Sequence, residues 1–257
     1  MPYHLLVYGI VYGIVFAMGA SIGSFANVVI YRLPLGIDMV KGRSFCPNCH
    51  TQIKNQHLIP LLSYWFLRRK CHHCGASIPL RYPVIEAVGG GLALLAVFVY
   101  GLTPLALCVF ALGALLLVVA VIDMDTMEIP DSLVVCLGVL SIPFALCQDP
   151  PTLVSRGIGF LVVSVPMLLL TMAIANAFGG GDIKLMAACG LILGYQNTLF
   201  AMFVAVVLGG FFAMWLLRQQ KVGIKSQLCF GPFLALGVLA AQFVGTTCIT
   251  WYLGLFS

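Results

Sequence analysis

Long runs of apolar residues, repeated along the chain, constrain its fold more than any other feature of the sequence. Of the 257 residues, 61% are hydrophobic and only 8% are charged, and the mean hydropathy is +1.08. Soluble domains average about 25% charged residues. The sequence therefore predicts an all-α polytopic membrane protein.

Eight apolar segments are candidate transmembrane helices, since a span needs about 20 residues. The fourth and sixth are short, and the sixth could be re-entrant or fused to its neighbour. The first is too long for the apolar core of a signal peptide, so we expect it to be retained. The segments are Leu5–Ile30, Val84–Tyr100, Pro104–Ile122, Leu133–Leu146, Ile158–Ala177, Ile183–Leu193, Leu199–Leu217 and Pro232–Leu255.

The basic residues sort to one side of the membrane if the chain has eight spans. Twelve of the thirteen lysines and arginines then share one side, and Arg156 alone lies on the other. Because positive loops stay in the cytoplasm, the long loop after the first span is predicted to be cytoplasmic. This topology accounts for the net charge of +5, so no nucleic-acid partner is expected. The twelve are Arg32, Lys41, Arg43, Lys54, Arg68, Arg69, Lys70, Arg81, Lys184, Arg218, Lys221 and Lys225.

Two acidic stretches, Val121–Asp131 and Phe178–Lys184, interrupt the apolar sequence at predicted cytoplasmic span ends. A charged side chain costs about 2.5–3.5 kcal/mol at a bilayer centre, so acids in such places commonly mark functional sites. The alternative is that an acid such as Asp182 caps the N-terminus of a helix. We expect Lys184 to be a cytoplasmic lysine at a span end rather than a modulator of Asp182.

Two aspartates brought together at a membrane face could hydrolyse a peptide bond without a metal or a covalent intermediate. One carboxylate activates a water molecule, and the other, in its protonated form, donates to the leaving amine. Asp182 is the candidate in the second stretch, while Asp123, Asp125, Glu128 and Asp131 are all candidates in the first. Asp123 is preferred because it directly follows the apolar run, and Asp131 is expected to cap the next span.

Two CxxC knuckles separated by twenty-one residues lie in the loop after the first span. This spacing is typical of a tetrahedral zinc site whose four thiolates leave no open coordination position, so the predicted zinc is structural. A cytoplasmic loop is reducing, which favours zinc over disulfides. The predicted ligands are Cys46, Cys49, Cys71 and Cys74, and the possible substitutes are His50, His72 and His73.

Small residues recur at four-residue spacing in the first apolar segment, at Gly9/Gly13 and at Gly19/Gly23. This spacing is typical of helices that pack closely within membranes.

Further motifs flank the knuckles and the two aspartates and extend over nearly the whole chain. Gly23–Pro34 precedes the knuckles, while Ile59–Tyr64 and Arg81–Glu86 lie around the second one. Asp123 begins an Asp-x5-Ile-Pro-Asp pattern, and Asp182 lies in Gly-Gly-Gly-Asp-x-Lys. Together these motifs resemble those of bacterial type IV prepilin peptidases, the membrane aspartic proteases with a GxGD motif. The resemblance implies that these two aspartates are catalytic and that the loop binds zinc.

The resemblance also implies a function and an organisation. Such enzymes lie in the bacterial inner membrane and cut type IV prepilins or secretion pseudopilins on the cytoplasmic side, between a short basic leader and an apolar helix. Many then N-methylate the new amino terminus with S-adenosylmethionine, a cofactor that no motif in this sequence locates. The expected parts are a first transmembrane helix (1–31), a zinc-binding module (32–83) and a transmembrane aspartic protease core (84–257).

Other functions remain open at the level of sequence. A transporter with an intramembrane acidic ion site would explain the aspartates, but not their position at span ends beside a zinc module. An assembly factor whose zinc loop docks a partner and a peptidase without methyl transfer are the remaining alternatives. Cleavage by the purified protein distinguishes the first two from a peptidase, and a labelled-methyl assay distinguishes the third.

Overall fold

The structure, a computed structural model, describes residues 2–39, 42–147, 151–174, 177–219 and 229–255. Three lysines used in the charge argument, Lys41, Lys221 and Lys225, lie outside these residues. The chain forms two compact units, Met1–Ala114 and Leu115–Ser257.

Helices dominate both units, and no strand forms within the described ranges beyond two isolated β-bridges. The fold class is therefore all-α, as the long apolar runs predict. The helices are α1 (Pro2–Arg32), α2 (Leu62–Phe66), α3 (Arg81–Tyr100), α4 (Pro104–Thr126), α5 (Asp131–Leu146), α6 (Leu153–Val162), α7 (Ser164–Ala173), α8 (Gly180–Arg218), α9 (Gly231–Ala240) and α10 (Thr246–Gly254), with a short 3-10 helix at Asn55–Leu58 and a π-helix at Ala241–Gly245.

Among the residues that the structure describes, six helical stretches are long and apolar enough to cross a membrane, and α5 is a shorter apolar helix. A multi-pass membrane protein is thus confirmed, whereas the count of eight spans remains a prediction. The six stretches are Leu6–Arg32, Arg81–Tyr100, Pro104–Thr126, Leu153–Ala173, Gly180–Arg218 and Gly231–Gly254.

In the first unit, α1 packs closely against α3 through glycines. A Cβ at Gly19 would lie 2.6 Å from the carbonyl oxygen of Gly89, and one at Gly23 would lie 2.8 Å from that of Ile85. The absence of a side chain therefore lets the two backbones approach, as the small-residue spacing predicts. The same expectation is wrong for Gly9/Gly13, where nothing lies within 4 Å of either position.

In the second unit, α8 is not one continuous helix. Gly194 has φ 72° and ψ 169°, which breaks the helix between the sixth and seventh predicted segments. Glycine is needed there on two counts, since its φ is positive and an added Cβ would lie 2.6 Å from Ser155 Oγ. The sixth and seventh predicted segments are therefore two helical parts of α8. They meet directly at the break at Gly194, with no loop between them.

Arg156, the one basic residue assigned to the outer side by the charge argument, is buried with 6% of its surface exposed. Its guanidinium donates hydrogen bonds to the carbonyl oxygens of Ser141 in α5 and Leu191 in α8. Because these carbonyls belong to different helices, Arg156 joins α5, α6 and α8.

Candidate active site

Asp123 lies in the last turn of α4 and is buried, with 5% of its surface exposed. The helix ends three residues later, where the Thr126 hydroxyl donates to the carbonyl oxygen of Ile122 at 2.9 Å. Met127 then adopts a left-handed conformation with φ 57°. The helix thus carries Asp123 to its end and stops just beyond it.

Asp182 lies in the first turn of α8 and is also buried, with 8% of its surface exposed. Gly179 is the N-cap of this helix, so the interpretation of Asp182 as an N-cap is wrong. The start of α8 packs tightly: a Cβ at Gly181 would lie 2.8 Å from Cβ of Ile129. Glycine at 181 therefore lets the first turn of α8 approach the segment that precedes α5.

The two carboxylates are close enough for the charge of Asp123 to act on Asp182. Phe178 and Phe230, from the segments before α8 and α9, pack with their ring centroids 5.7 Å apart. The segment after α4, the segment before α8 and the segment before α9 thus converge around two buried acids, Asp123 and Asp182.

The other acids of the first acidic stretch have different environments. Asp125 and Glu128 are exposed. Asp131 is the first residue of α5 and caps nothing with its side chain, so its predicted N-cap role is wrong; Pro130 is the N-cap. Its carboxylate instead accepts a hydrogen bond from Lys184 Nζ at 2.7 Å. Lys184 therefore pairs with this exposed acid, in keeping with an ordinary lysine at a span end.

Gly231, which the sequence argument did not single out, contacts Asp123 directly. Its backbone N–H donates to Asp123 Oδ2 at 2.9 Å, and a Cβ at this position would lie 2.7 Å from the same oxygen. Gly231 begins α9 and is followed by Pro232, so a Gly-Pro pair opening the last apolar segment was the available signal. The N-terminus of α9 thus holds the Asp123 carboxylate in place.

Cys229 lies beside the same carboxylates, two residues before Gly231. Burial raises the pKa of its thiol, and the charges of Asp123 and Asp182 raise it further. A protonated thiol adds no negative charge to the site.

The two cysteine knuckles in the first unit form a compact cluster. The Sγ atoms of all four predicted ligands lie within 4.8 Å of one another, and those of Cys46 and Cys74 are 3.9 Å apart. Zn–S bonds of about 2.3 Å in a tetrahedron place sulfurs about 3.8 Å apart, so the cluster could hold a metal ion such as zinc. No disulfide forms among the described cysteines, and no histidine joins this cluster in the described part of the loop.

The knuckles repeat the same backbone hydrogen bonds. The N–H of Cys46 donates to Thr51 and that of Cys71 to Ala76, at 3.0 and 2.8 Å. The N–H groups of Cys74 and then His73 lower the pKa of the Cys71 thiol, which favours the thiolate form that binds metals. Both knuckles are therefore preformed in the geometry of a metal site.

Comparison with known proteins supports the resemblance to prepilin peptidases over most of the chain. Residues 17–100 match a family described as Bacterial Peptidase A24 N-terminal domain, and residues 110–214 match the Type IV leader peptidase family. A prepilin leader peptidase/N-methyltransferase of Burkholderia pseudomallei is 34% identical over 263 residues, which cover 89% of this chain and 84% of the relative. The chain belongs to the type IV leader peptidase family.

Two further members of the family carry the same name. The protein of Legionella pneumophila is 31% identical over 91% of both chains, and that of Bacillus subtilis is 31% identical over 93% of this chain and 96% of its own. No solved structure matches the chain. The resemblance inferred from the motifs is thus confirmed, and both Asp123 and Asp182 lie within the stretch that matches the leader peptidase family.

Proposed function

We propose that this protein is a membrane-embedded aspartic endopeptidase that removes the leader of type IV prepilins or pseudopilins and then N-methylates the new amino terminus. The observation that carries the peptidase assignment is a pair of buried carboxylates, Asp123 and Asp182, within electrostatic reach of each other in a member of the leader peptidase family. The relatives named above supply the substrate and the second activity.

In this proposal the two carboxylates divide the chemistry of hydrolysis. The ionised member takes a proton from a water molecule, whose oxygen attacks the carbonyl carbon of the scissile bond. The protonated member donates its proton to the leaving nitrogen as the carbon–nitrogen bond breaks. The products are a leader with a new carboxyl group and a mature chain with a free amine. Gly231 positions Asp123 through its N–H and is not itself a catalytic residue.

We assign zinc to Cys46, Cys49, Cys71 and Cys74, with a structural role. Four thiolates complete the tetrahedral coordination of zinc, so the ion has no open position for water or for a carbonyl group. The described part of the loop contains only one turn of 3-10 helix and one five-residue helix. Metal binding would therefore supply much of its folding free energy.

The proposed location is the bacterial inner membrane, with cleavage on the cytoplasmic side. Two arguments support this location: twelve of the thirteen lysines and arginines share one side if the chain has eight spans, and the thiol cluster is of the kind that survives in reducing compartments. S-adenosylmethionine, when bound, would supply the methyl group for the new amine.

The experiment is cleavage of a purified prepilin by the purified full-length protein. Asp123→Asn and Asp182→Asn should each abolish cleavage, because each removes one partner of the proton transfer. Asp125→Asn is the matched control, since Asp125 lies in the same stretch but is exposed, and it should retain substantial activity. Full activity in either buried variant, or loss of activity only in Asp125→Asn, would contradict the assignment.

A further inference from the structure

The loop between α1 and α3 carries the cysteine knuckles, and its short helix α2 has an exposed apolar face. Leu62, Trp65 and Phe66 form this face, because residues three and four apart are neighbours on a helix surface. Trp65 and Phe66 are 84% and 83% exposed, whereas Tyr64 on the opposite side of α2 is half-buried. On the spans a bilayer would cover such side chains, but α2 lies outside the candidate spans. The apolar face of α2 therefore needs an occupant of its own.

A basic turn, Arg68–Lys70, follows this face directly. All three residues of the turn are exposed. Arg68 and Arg69 adopt left-handed conformations, with φ 48° and 63°. Their backbone N–H groups donate to the carbonyl oxygens of Trp65 and Tyr64, at 3.0 and 3.1 Å. The chain thus folds back onto the end of α2, which keeps the basic turn beside the aromatic pair.

The cysteine loop carries charged side chains of one sign only. No acidic residue occurs in the sequence between Asp38 and Glu86, whereas seven lysines and arginines do. A zinc ion with four thiolates would offset only part of this positive charge. A basic segment next to a membrane is attracted to anionic lipid headgroups. The charge of the loop therefore complements an anionic bilayer surface.

Helix α2 begins beside the end of α3 at which this candidate span enters the membrane. Leu61 is the N-cap of α2, and its N–H donates to Glu86 Oε2 at 2.7 Å. Glu86 is the last charged residue of α3, which spans Arg81–Tyr100. Because charge is costly at the bilayer centre, Glu86 marks the part of α3 nearest the membrane surface. The hydrogen bond therefore fixes the start of α2 close to that surface.

We propose that α2 and the basic turn anchor the cysteine loop to the membrane surface. The apolar face enters the interfacial region of the bilayer, and the basic turn contacts anionic phospholipid headgroups. Tryptophan is enriched at membrane interfaces, and interfacial helices bury an apolar face about 5–10 Å into the boundary between headgroups and acyl chains. Lipid is favoured over the substrate as the occupant, because the basic leader that the proposed function gives the substrate would be repelled by the basic turn.

The test is quenching of Trp65 fluorescence in the purified, metal-loaded, full-length protein reconstituted in vesicles. The other two tryptophans are replaced in one chain, Trp215→Phe and Trp251→Phe, so that Trp65 alone reports. Phospholipids brominated on the acyl chain close to the headgroup should lower its emission at least about twofold. Acrylamide, a quencher dissolved in the water, should act on Trp65 much less than on free tryptophan.

Lipid composition tests the basic turn separately. Quenching by brominated lipid should be stronger in vesicles that contain phosphatidylglycerol, which is anionic, than in vesicles of phosphatidylcholine alone. Replacing all three basic residues of the turn with Gln should abolish this difference. The matched control is Arg218→Gln, which removes an exposed positive charge from the second unit and should preserve the difference.

Metal content and helicity, measured on the same samples, report folding independently of the quenching. Strong quenching by lipid, with a preference for phosphatidylglycerol that the basic turn supplies, supports the inference. Trp65 that responds to acrylamide like free tryptophan and not to brominated lipid overturns it. Protection from acrylamide only after an uncleaved prepilin is added also overturns it, since the face would then be a substrate dock. If the two Phe replacements cause loss of metal, the difference in quenching between the wild type and Trp65→Phe decides in the same way.

Discussion

Replacing Gly231 with alanine tests how the fold holds Asp123 without altering either carboxylate. The added Cβ would lie 2.7 Å from Oδ2, 2.9 Å from Cγ and 3.1 Å from Cβ of Asp123. All three distances are shorter than ordinary van der Waals contacts of 3.4–4 Å, and the neighbouring atoms belong to a short side chain. Either the carboxylate or the start of α9 must therefore move, and the N–H hydrogen bond at 2.9 Å would lengthen or break.

The magnitude follows from two contributions. Inserting a methyl group into a packed site typically costs about 1–3 kcal/mol. A hydrogen bond to a charged group is worth about 1.5–3 kcal/mol. About 1.4 kcal/mol corresponds to a tenfold change in rate, and misplacing a catalytic group by about 1 Å can lower the rate about 100-fold. We therefore expect kcat/KM for cleavage to fall by roughly 100-fold.

The assay is steady-state cleavage of a purified prepilin, with metal content and thermal unfolding measured on the same samples. Gly210→Ala is the matched control, because nothing lies within 4 Å of a Cβ at that helical position. Alanine is favoured over glycine in a helix by up to about 1 kcal/mol, so this control should be active and at least as stable as the wild type. A Gly231→Ala protein with kcat/KM within about twofold of the wild type would refute the argument that Gly231 positions Asp123.

Gly181→Ala should strongly reduce cleavage, because the added Cβ would lie 2.8 Å from Ile129. Gly180→Ala should not reduce cleavage, because nothing lies within 4 Å of a Cβ at that position. Cleavage kinetics of the two variants test this difference. Purified protein should contain about one zinc, and Cys71→Ser should lower that content and the thermal stability of the module, as elemental analysis and calorimetry would measure. Lys184→Met should change the free energy of unfolding by no more than about 1 kcal/mol, because its ion pair with Asp131 is exposed; denaturant titration measures this.

Each of these predictions has a contrary outcome. Equal kinetics for the Gly180 and Gly181 variants would show that the first turn of α8 tolerates a Cβ at either position. Unchanged metal content after Cys71→Ser would remove that cysteine from the ligand set. A large loss of stability after Lys184→Met would mean that the Lys184–Asp131 ion pair is not merely an exposed contact.

The sequence could predict the helical class, the cysteine cluster and the preference for Asp123 because each depends on local order along the chain. Apolar runs of span length leave few alternatives to membrane helices, and CxxC spacing brings two thiolates to one ion within a single turn. Asp123 was identified by its place at the end of an apolar run, and it is indeed the buried acid of its stretch. Family membership followed from the same local motifs.

Tertiary structure alone decided which partners these residues meet. Asp131 lies before an apolar helix, as a capping residue would, yet its carboxylate pairs with Lys184, 53 positions along the chain. Gly231 lies 108 positions from Asp123, and the Gly-Pro pair that marks the start of α9 does not specify Asp123 as its hydrogen-bond partner. Such contacts depend on how helices pack across a unit, and packing is set by the shapes of many side chains together rather than by the spacing of a few.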